Sequence, residues 1–158
     1  MRSHSRNFAF TASAYLAGDM LMQAAAHRLI EVGEQCLAMP LLADVLKIVH
    51  PPTVGLVMMQ VREPVRRERF YLGEVVVTRC EVLVGEIHGW AMVSGENKEA
   101  ALAAALCDAV TRTTEREFAE ARTAVEELCR ETRERLEGQV RREWTELAPT
   151  RVDFEEFE

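Results

Sequence analysis

Metal-binding and disulfide patterns are missing from this sequence. Its four cysteines lie far apart, at Cys36, Cys80, Cys107 and Cys129. They include no CxxC pair, so neither a zinc site nor a disulfide framework is indicated, and we expect them to be buried as small apolar side chains. The histidines also lack HExxH or a similar ligand spacing, so the chain is not expected to bind a metal.

Signatures of nucleotide and membrane binding are missing as well. Neither GxxxxGKS/T nor GxGxxG occurs between a strand and a helix, so the chain has no phosphate-binding loop of the usual kinds. No stretch approaches the roughly 18 uncharged apolar residues of a transmembrane helix. A net charge of −7 opposes binding to nucleic acid. We therefore expect a cytoplasmic protein with no membrane or nucleic-acid partner.

What the chain does contain is a balance of residues typical of a globular protein. Its 158 residues are 48% hydrophobic and 28% charged, and a chain of this length buries about 70% of the surface that its unfolded form exposes. The sequence predicts a single domain, residues 1–158, of the α+β class. Within residues 1–34 we expect a helix that is capped by Thr11 or Ser13 and stopped by Gly33.

The middle of the chain, residues 44–94, is predicted to form an antiparallel sheet of about four strands. The first two are expected at Asp44–Val49 and Val54–Val61, on either side of Pro51 and Pro52. The second run is almost continuously apolar, which is typical of a strand covered on both faces. Such a strand would be central in the sheet or buried at an interface.

A charged segment and a tight turn delimit the other two predicted strands. Residues 62–69 contain a proline that cannot donate to a central ladder, so they are expected to form a solvated hairpin connection. From Phe70 to Val84 alternate residues are apolar, which places charged residues such as Arg79 on the face opposite the core. Gly85 begins a tight turn into a partner strand, Ile87–Ser94.

Two helices and a tail are predicted after the sheet. Residues 97–147 contain a first helix that Asn97 can cap and a second one from Glu115 to Leu147. The alanine-rich first helix can approach the sheet closely. The second is apolar over a narrow stripe and would be about 50 Å long at 1.5 Å per residue, so we expect it to reach beyond its own core. Residues 148–158 form the tail.

Two groups of side chains are candidates for chemistry. Residues 62–69 carry four guanidinium groups, at Arg62, Arg66, Arg67 and Arg69. They fit a plain solvated hairpin, a contact with a protein partner, or direct phosphate binding. His88 lies near Glu86 and is the best acid–base candidate, with Glu74 as a second; an exposed strand histidine without function is the commoner situation. No Ser-His-Asp or Cys-His set is indicated.

Several short motifs follow one another along the middle and the end of the chain. Pro51-Pro52 precedes Gly55-Leu56-Val57-Met58, and Leu72-Gly73-Glu74 leads to Val77-Thr78-Arg79-Cys80. After these come Gly89, Gly95, Lys98 and Ala109, and finally the tail residues Thr150, Arg151, Val152, Asp153 and Phe154. In order and spacing these motifs resemble the G subunit of the phosphonate carbon–phosphorus lyase system, the PhnG family. Departures occur at Glu96, Arg66-Arg67 and Glu155-Glu156.

The resemblance implies a subunit of the carbon–phosphorus lyase core complex with H, I and J subunits as partners. With H, I and the L protein, such a subunit is required to form alpha-D-ribose 1-methylphosphonate 5-triphosphate from MgATP and methylphosphonate. MgATP is then a substrate of the complex, and this chain binds no cofactor. The resemblance implies no catalytic residue here.

The matching residues are therefore candidates for family-specific structure or for an interface: Gly73, Glu74, Thr78, Arg79, Gly95, Lys98, Arg151, Val152, Asp153 and Phe154. The leading hypothesis is a non-catalytic subunit that supports the I subunit. Two alternatives stay open. One is a stand-alone enzyme that binds a phosphonate or a nucleotide through the 62–69 loop, and the other is a regulatory adaptor that recruits proteins through the long helix.

Overall fold

The structure, a computed structural model, describes residues 17–148, and its elements confirm the α+β class. Residues 17–23 are helical. They are followed by α1 (Ala26–Leu37), α2 (Pro40–Val45), β1 (Leu46–Arg62), β2 (Arg69–Val84), β3 (Ile87–Ser94), α3 (Lys98–Arg112), a short 3₁₀ helix (Arg116–Phe118) and α4 (Ala119–Leu147).

The sheet has three described strands, in the antiparallel order β1-β2-β3, and not the predicted four. The two strands expected on either side of the proline pair are one continuous strand, β1, while residues 44 and 45 belong to α2. Pro51 and Pro52 do not end the strand because β1 is at the sheet edge, where a missing N–H is tolerated. Irregularities in the pairing with β2 between Ile48 and Thr53 also accommodate them.

The apolar run 54–61 was expected to be central in the sheet or buried at an interface, and the first of these expectations is wrong. The run does form a strand, but β1 lies at the edge of the described sheet, so it is not central. An unbroken run of apolar residues therefore does not show whether the rest of the chain covers the strand or leaves it exposed. Burial of this run at an interface stays a prediction.

Helix α3 packs on one face of the sheet, as its alanine content predicted. The contact centres on Gly89 in β3, where an added Cβ atom would lie 2.1 Å from the carbonyl oxygen of Ala105 and 2.7 Å from the Cβ atom of Ala109. Only glycine allows so close an approach. Helices α1 and α4 pack against α3, and the buried residues of these helices and of the sheet form one core.

The prediction that Gly33 stops the first helix is wrong. The helical residues 17–23 are interrupted at residues 24 and 25, and α1 then continues through Gly33 to Leu37. A Cβ atom at Gly33 would lie 2.6 Å from the Cβ atom of Ala103 in α3. This glycine therefore serves close helix packing and not helix termination. The expected caps Thr11 and Ser13 lie outside the described residues.

Helix α4 reaches beyond the core, as predicted. Its first half is anchored by buried side chains such as Val125 and Leu128, whereas Val140 and Trp144 near its end are 65% and 66% exposed. The predicted start at Glu115 is replaced by the 3₁₀ turn. The tail residues 149–158 lie outside the described part of the chain. No helix within residues 17–148 is both long and apolar enough to cross a membrane.

Candidate functional site

Strands β1 and β2 extend past the part of the sheet that α3 covers. Ser94, at the end of β3, pairs with Val77 of β2. The chain then enters α3, which runs back over the sheet toward Gly89. Beyond this junction, residues 56–62 of β1 and 69–76 of β2 continue as a two-stranded ribbon. At about 3.3 Å per residue this ribbon is roughly 25–30 Å long.

The ribbon exposes large apolar side chains. Leu56, Met58 and Leu72 are 60%, 59% and 59% exposed. The complete set of exposed large apolar side chains in the ribbon is Leu56, Met58, Met59, Phe70, Tyr71, Leu72 and Val76. Scattered apolar residues are normal on a protein surface, but a contiguous group of this kind is typical of an interaction site.

The two edges of the described sheet also differ. At the β3 edge the backbone N–H of Trp90 donates to Oδ2 of Asp108 at 2.9 Å, so α3 supplies an acceptor there. The edge of β1 has no neighbouring strand in the described part of the chain. A long apolar strand with a free edge can pair with another chain, and soluble proteins usually protect such edges. The ribbon therefore presents both apolar side chains and an open strand edge.

The arginine-rich connection at the tip of the ribbon is solvated, as predicted. The carboxylate of Glu63 accepts hydrogen bonds from the backbone N–H groups of Val65 and Arg66, at 2.8 and 2.5 Å. Arg67 adopts a left-handed backbone with a φ of 60°. Within residues 17–148 the guanidinium groups of this connection have no ion-pair partner; these are Arg62, Arg66, Arg67 and Arg69.

The structure does not bring these arginines to the acid–base candidates. His88 pairs with Leu83, which is 14 residues (83 − 69) along β2 from Arg69. At about 3.3 Å per residue this separation is about 45 Å. Glu74 is nearer, five residues from Arg69 or about 17 Å, but its strand position pairs it with Met58 in the apolar ribbon.

A polar cluster that sequence reasoning missed lies on the open face of the sheet. His88 contacts Glu81 and not the predicted Glu86: its Nε2 atom is 3.3 Å from Oε2 of Glu81. Nε2 of His50 is 4.0 Å from the same oxygen, and Nε of Arg79 is 3.9 Å from Oε1. The alternation of β2 placed Arg79 and Glu81 on this face, but only the strand pairing brings His50 and His88 there.

This cluster does not amount to a catalytic set or a metal site. Its imidazoles are about half exposed, and the buried thiol of Cys80 donates to the backbone carbonyl oxygen of His50 and not to an imidazole. In residues 17–148 no group of three histidine, cysteine, aspartate or glutamate side chains is arranged to hold a metal ion. The charged groups instead add a polar patch beside the apolar ribbon.

Three of the family-motif residues meet where the ribbon joins the covered sheet. The buried hydroxyl of Thr78 donates to the carbonyl oxygen of Gly95 at 2.6 Å and accepts from the N–H of Asn97 at 3.0 Å. Asn97 in turn accepts from the N–H of Ala100 at 3.0 Å and caps α3, as predicted. Lys98 is exposed at the first residue of that helix. This network fixes the start of α3 on β2.

Gly73 and Glu74 lie on the ribbon, where their own chain does not explain them. Nothing lies within 4 Å of a Cβ atom added at Gly73, and its φ is not in the left-handed region. The chain therefore does not itself require glycine at this position. Arg151, Val152, Asp153 and Phe154 are outside the described residues. The expected burial of all four cysteines is confirmed.

The described surface contains an apolar ribbon with an unpaired edge, a combination typical of proteins that assemble with other chains. Comparison with known proteins gives the family. A family model described as "Phosphonate metabolism protein PhnG" matches residues 13–157. The chain is also 35% identical, over 127 residues, to the alpha-D-ribose 1-methylphosphonate 5-triphosphate synthase subunit PhnG of Rhizobium meliloti (strain 1021), with 78% of each chain covered. The chain belongs to the PhnG family.

Proposed function

We propose that this chain is a non-catalytic subunit of a cytoplasmic ribose 1-methylphosphonate 5-triphosphate synthase. Its partners are the H, I and J subunits of the carbon–phosphorus lyase core complex, and it acts together with the L protein. MgATP and methylphosphonate are substrates of the complex, and this chain contributes surface to the I subunit without binding a cofactor. The proposal is supported by the name of the Rhizobium relative, a subunit of that synthase.

The observation that carries the proposal is the exposed ribbon. A two-stranded ribbon is marginally stable when it packs against nothing. Covering its apolar side chains would contribute about 25 cal/mol for each Å² removed from water. A partner that pairs with the free edge of β1 would also satisfy the backbone groups there. Within residues 17–148 no element supplies either gain, because α3 covers only the other part of the sheet.

Gly73 supports the same role. An added Cβ atom at this position has open space around it in the isolated chain, and glycine weakens a strand interior because it has no side chain to pack. Glycine at such a position is explained when the backbone of another chain approaches closely. We therefore place Gly73 inside the contact with the I subunit, next to Met59, its partner across the ribbon.

Co-expression with the I subunit tests the proposal. The double variant Leu56→Glu, Leu72→Glu places two carboxylates on the ribbon and is expected to reduce co-purification with the I subunit at least tenfold, because burying unpaired charges is unfavourable. Val65→Glu is the matched control, because Val65 is 85% exposed at the tip of the hairpin. It should co-purify like the unmodified chain.

The stability of the isolated variants separates misfolding from loss of the interface. All three chains should unfold at the same denaturant concentration within error, because neither Leu56 nor Leu72 belongs to the core. The proposal is wrong if the unmodified chain does not co-purify with the I subunit, or if the folded double variant co-purifies undiminished.

Calorimetry on the isolated chain tests the competing enzyme hypothesis. We expect no binding heat with MgATP or methylphosphonate, since the arginines of the ribbon tip lie far from His88 and no phosphate-binding loop is present. Heat that disappears in the double variant Arg66→Ala, Arg67→Ala would favour a phosphate site at the tip and would contradict a purely non-catalytic role.

A further inference from the structure

Helices α1 and α3 pack closely along one line of small residues. Gly33 of α1 meets Ala103 of α3, where an added Cβ atom would come within 2.6 Å of the alanine Cβ atom. Cys36 follows Gly33 by three residues, and Cys107 follows Ala103 by four. Residues at these spacings lie on the same face of a helix. Both cysteines therefore lie about one turn from this contact, on the helix faces that meet there.

The thiols of Cys36 and Cys107 are both buried and lie close enough to shift each other's pKa. Cys36 is 1% exposed and Cys107 is 0% exposed. The hydrogen bond from Cys107 lowers the pKa of Cys36, against the opposing effect of burial. The same hydrogen bond, together with burial, raises the pKa of Cys107 well above its usual value. The thiolate is the reactive form of cysteine, so the access of each thiol to solvent bears on which of the two reacts first.

A surface cleft gives access to one side of this pair. The cleft has a volume of about 370 Å³ and is lined by Cys36, Gln35 and Met39 of the α1 region and by Glu120 and Ala121 of α4. Cys107 does not line it. Of the two thiols, that of Cys36 is therefore the one that borders solvent-accessible space.

The other two cysteines lack this arrangement. Cys80 lies on the sheet and its thiol donates to the carbonyl oxygen of His50 at 3.4 Å. Burial raises the pKa of both Cys80 and Cys129. Neither forms a thiol–thiol hydrogen bond among the described residues, so they serve as internal controls.

We propose that Cys36 and Cys107 form a reversible thiol–disulfide pair, in which a peroxide oxidises Cys36 from the cleft and Cys107 then closes a disulfide between α1 and α3.

In the first step the Cys36 thiolate sulfur attacks a peroxide oxygen. The O–O bond breaks, water is released after protonation, and Cys36 becomes a sulfenic acid. The Cys107 sulfur then attacks the Cys36 sulfur, and the S–O bond breaks. The hydroxyl group leaves as water with the Cys107 proton, so the thiols lose two electrons and the peroxide gains them.

The disulfide would link helices α1 and α3 covalently. It closes a loop of 71 residues (107 − 36), which contains the whole described sheet. Cross-links across long loops restrict the unfolded chain most. The oxidised chain should therefore unfold at a higher temperature than the reduced chain, and a thiol reductant should reverse the difference.

Thiol counting on the purified chain tests the proposal. The reduced chain is treated with hydrogen peroxide, unfolded without reductant, labelled with a maleimide and analysed by mass spectrometry. We expect the number of labelled cysteines to fall from four to two, a non-reduced proteolytic map to contain the Cys36–Cys107 cross-link, and dithiothreitol to restore all four. The control variant Cys80→Ala should form the same cross-link, whereas Cys36→Ala should retain all its labelled thiols.

Two outcomes would overturn the proposal. One is an oxidised chain in which all four cysteines are still labelled, and the other is a cross-link that uses Cys80 or Cys129 in place of either member of the pair. Should Cys36→Ala fail to fold, the cross-link map of the unmodified chain decides the question alone. None of these readouts depends on the synthase partners, so the result is independent of the proposed function.

Discussion

The covered part of the sheet and the ribbon are built from the same two strands but contrast in what surrounds them. In the covered part, Cys80 and Val82 are fully buried beneath α3, whereas Leu56 and Met58 in the ribbon are more than half exposed. Both parts are apolar. Apolar strand residues in this chain therefore form two kinds of surface: one that α3 covers and one that no element within residues 17–148 covers.

Substituting one glycine in each part gives the largest expected contrast. Gly89→Val should destabilise the chain by about 3 kcal/mol or more, because the new side chain would collide with the backbone of α3 at Ala105. Gly73→Val should leave the free energy of unfolding unchanged or raise it by up to about 1 kcal/mol, since valine favours a strand and open space surrounds this position. Urea denaturation of both variants measures the difference.

Equal destabilisation by the two substitutions would contradict the distinction between covered and uncovered strands. Binding to the I subunit provides a second test of this distinction. If Gly73 lies at the proposed contact, the Gly73→Val variant should bind the co-expressed I subunit more weakly, although the variant chain alone is as stable as the unmodified one.

Thr78→Val tests the junction between the two parts. Valine has nearly the shape of threonine but removes the hydroxyl that bridges Gly95 and Asn97. The loss of this buried bridge should destabilise the chain by about 1–3 kcal/mol in denaturant unfolding. Thr53→Val on the exposed part of β1 is the matched control, and its effect should stay within about 0.5 kcal/mol. A control effect as large as that of Thr78→Val would show that the bridge is not the cause.

Asn97→Ala should have a smaller effect of the same kind. It removes the side-chain cap that accepts from the N–H of Ala100, and loss of such a cap typically costs about 1 kcal/mol. Asn97→Ser keeps a capping oxygen and should recover most of the stability. If serine and alanine variants unfold alike, the cap does not determine the stability of this helix start.

The smallest expected effect concerns the ion pair between the outer helices. Nη2 and Nε of Arg28 in α1 donate to the Glu131 carboxylate of α4 at 3.1 and 3.3 Å, and this contact raises the pKa of Arg28. Both side chains are partly exposed, so salt screens the interaction. Arg28→Gln should shift the thermal midpoint slightly downward at low ionic strength and not at all in about 1 M salt. A shift that persists in high salt would indicate lost packing and not lost charge.

The sequence predicted the elements in which local signals agree. Alternation and turn residues located β2 and β3, the capping asparagine located α3, and alanine content predicted its close contact with the sheet. Gly33 was misinterpreted because glycine ends helices and also permits close packing, and only the partner residue Ala103 distinguishes the two roles. Pro51 and Pro52 predict a break between two strands because the sequence does not show that β1 is at an edge.

The candidate sites were less predictable because they depend on pairing across the sheet and between helices. Glu81 and Arg79 were expected on one face, but His50 and His88 join them only through the register of β1 and β3. The pairing of Cys36 with Cys107 has no signal in their spacing, since they lie on different helices. The exposure of the ribbon could not be predicted from the sequence for a related reason. A strand that binds a partner chain has the same apolar composition as a strand buried in its own core.

The uncovered edge of β1 also has a consequence for the abundance of the protein in the cell. A chain that keeps an apolar strand unpaired is prone to associate with copies of itself, and its losses to aggregation and proteolysis rise with its free concentration. Its synthesis is then expected to be matched to that of its partners. Copies made in excess would be removed, so the amount of partner would set how much of this protein accumulates.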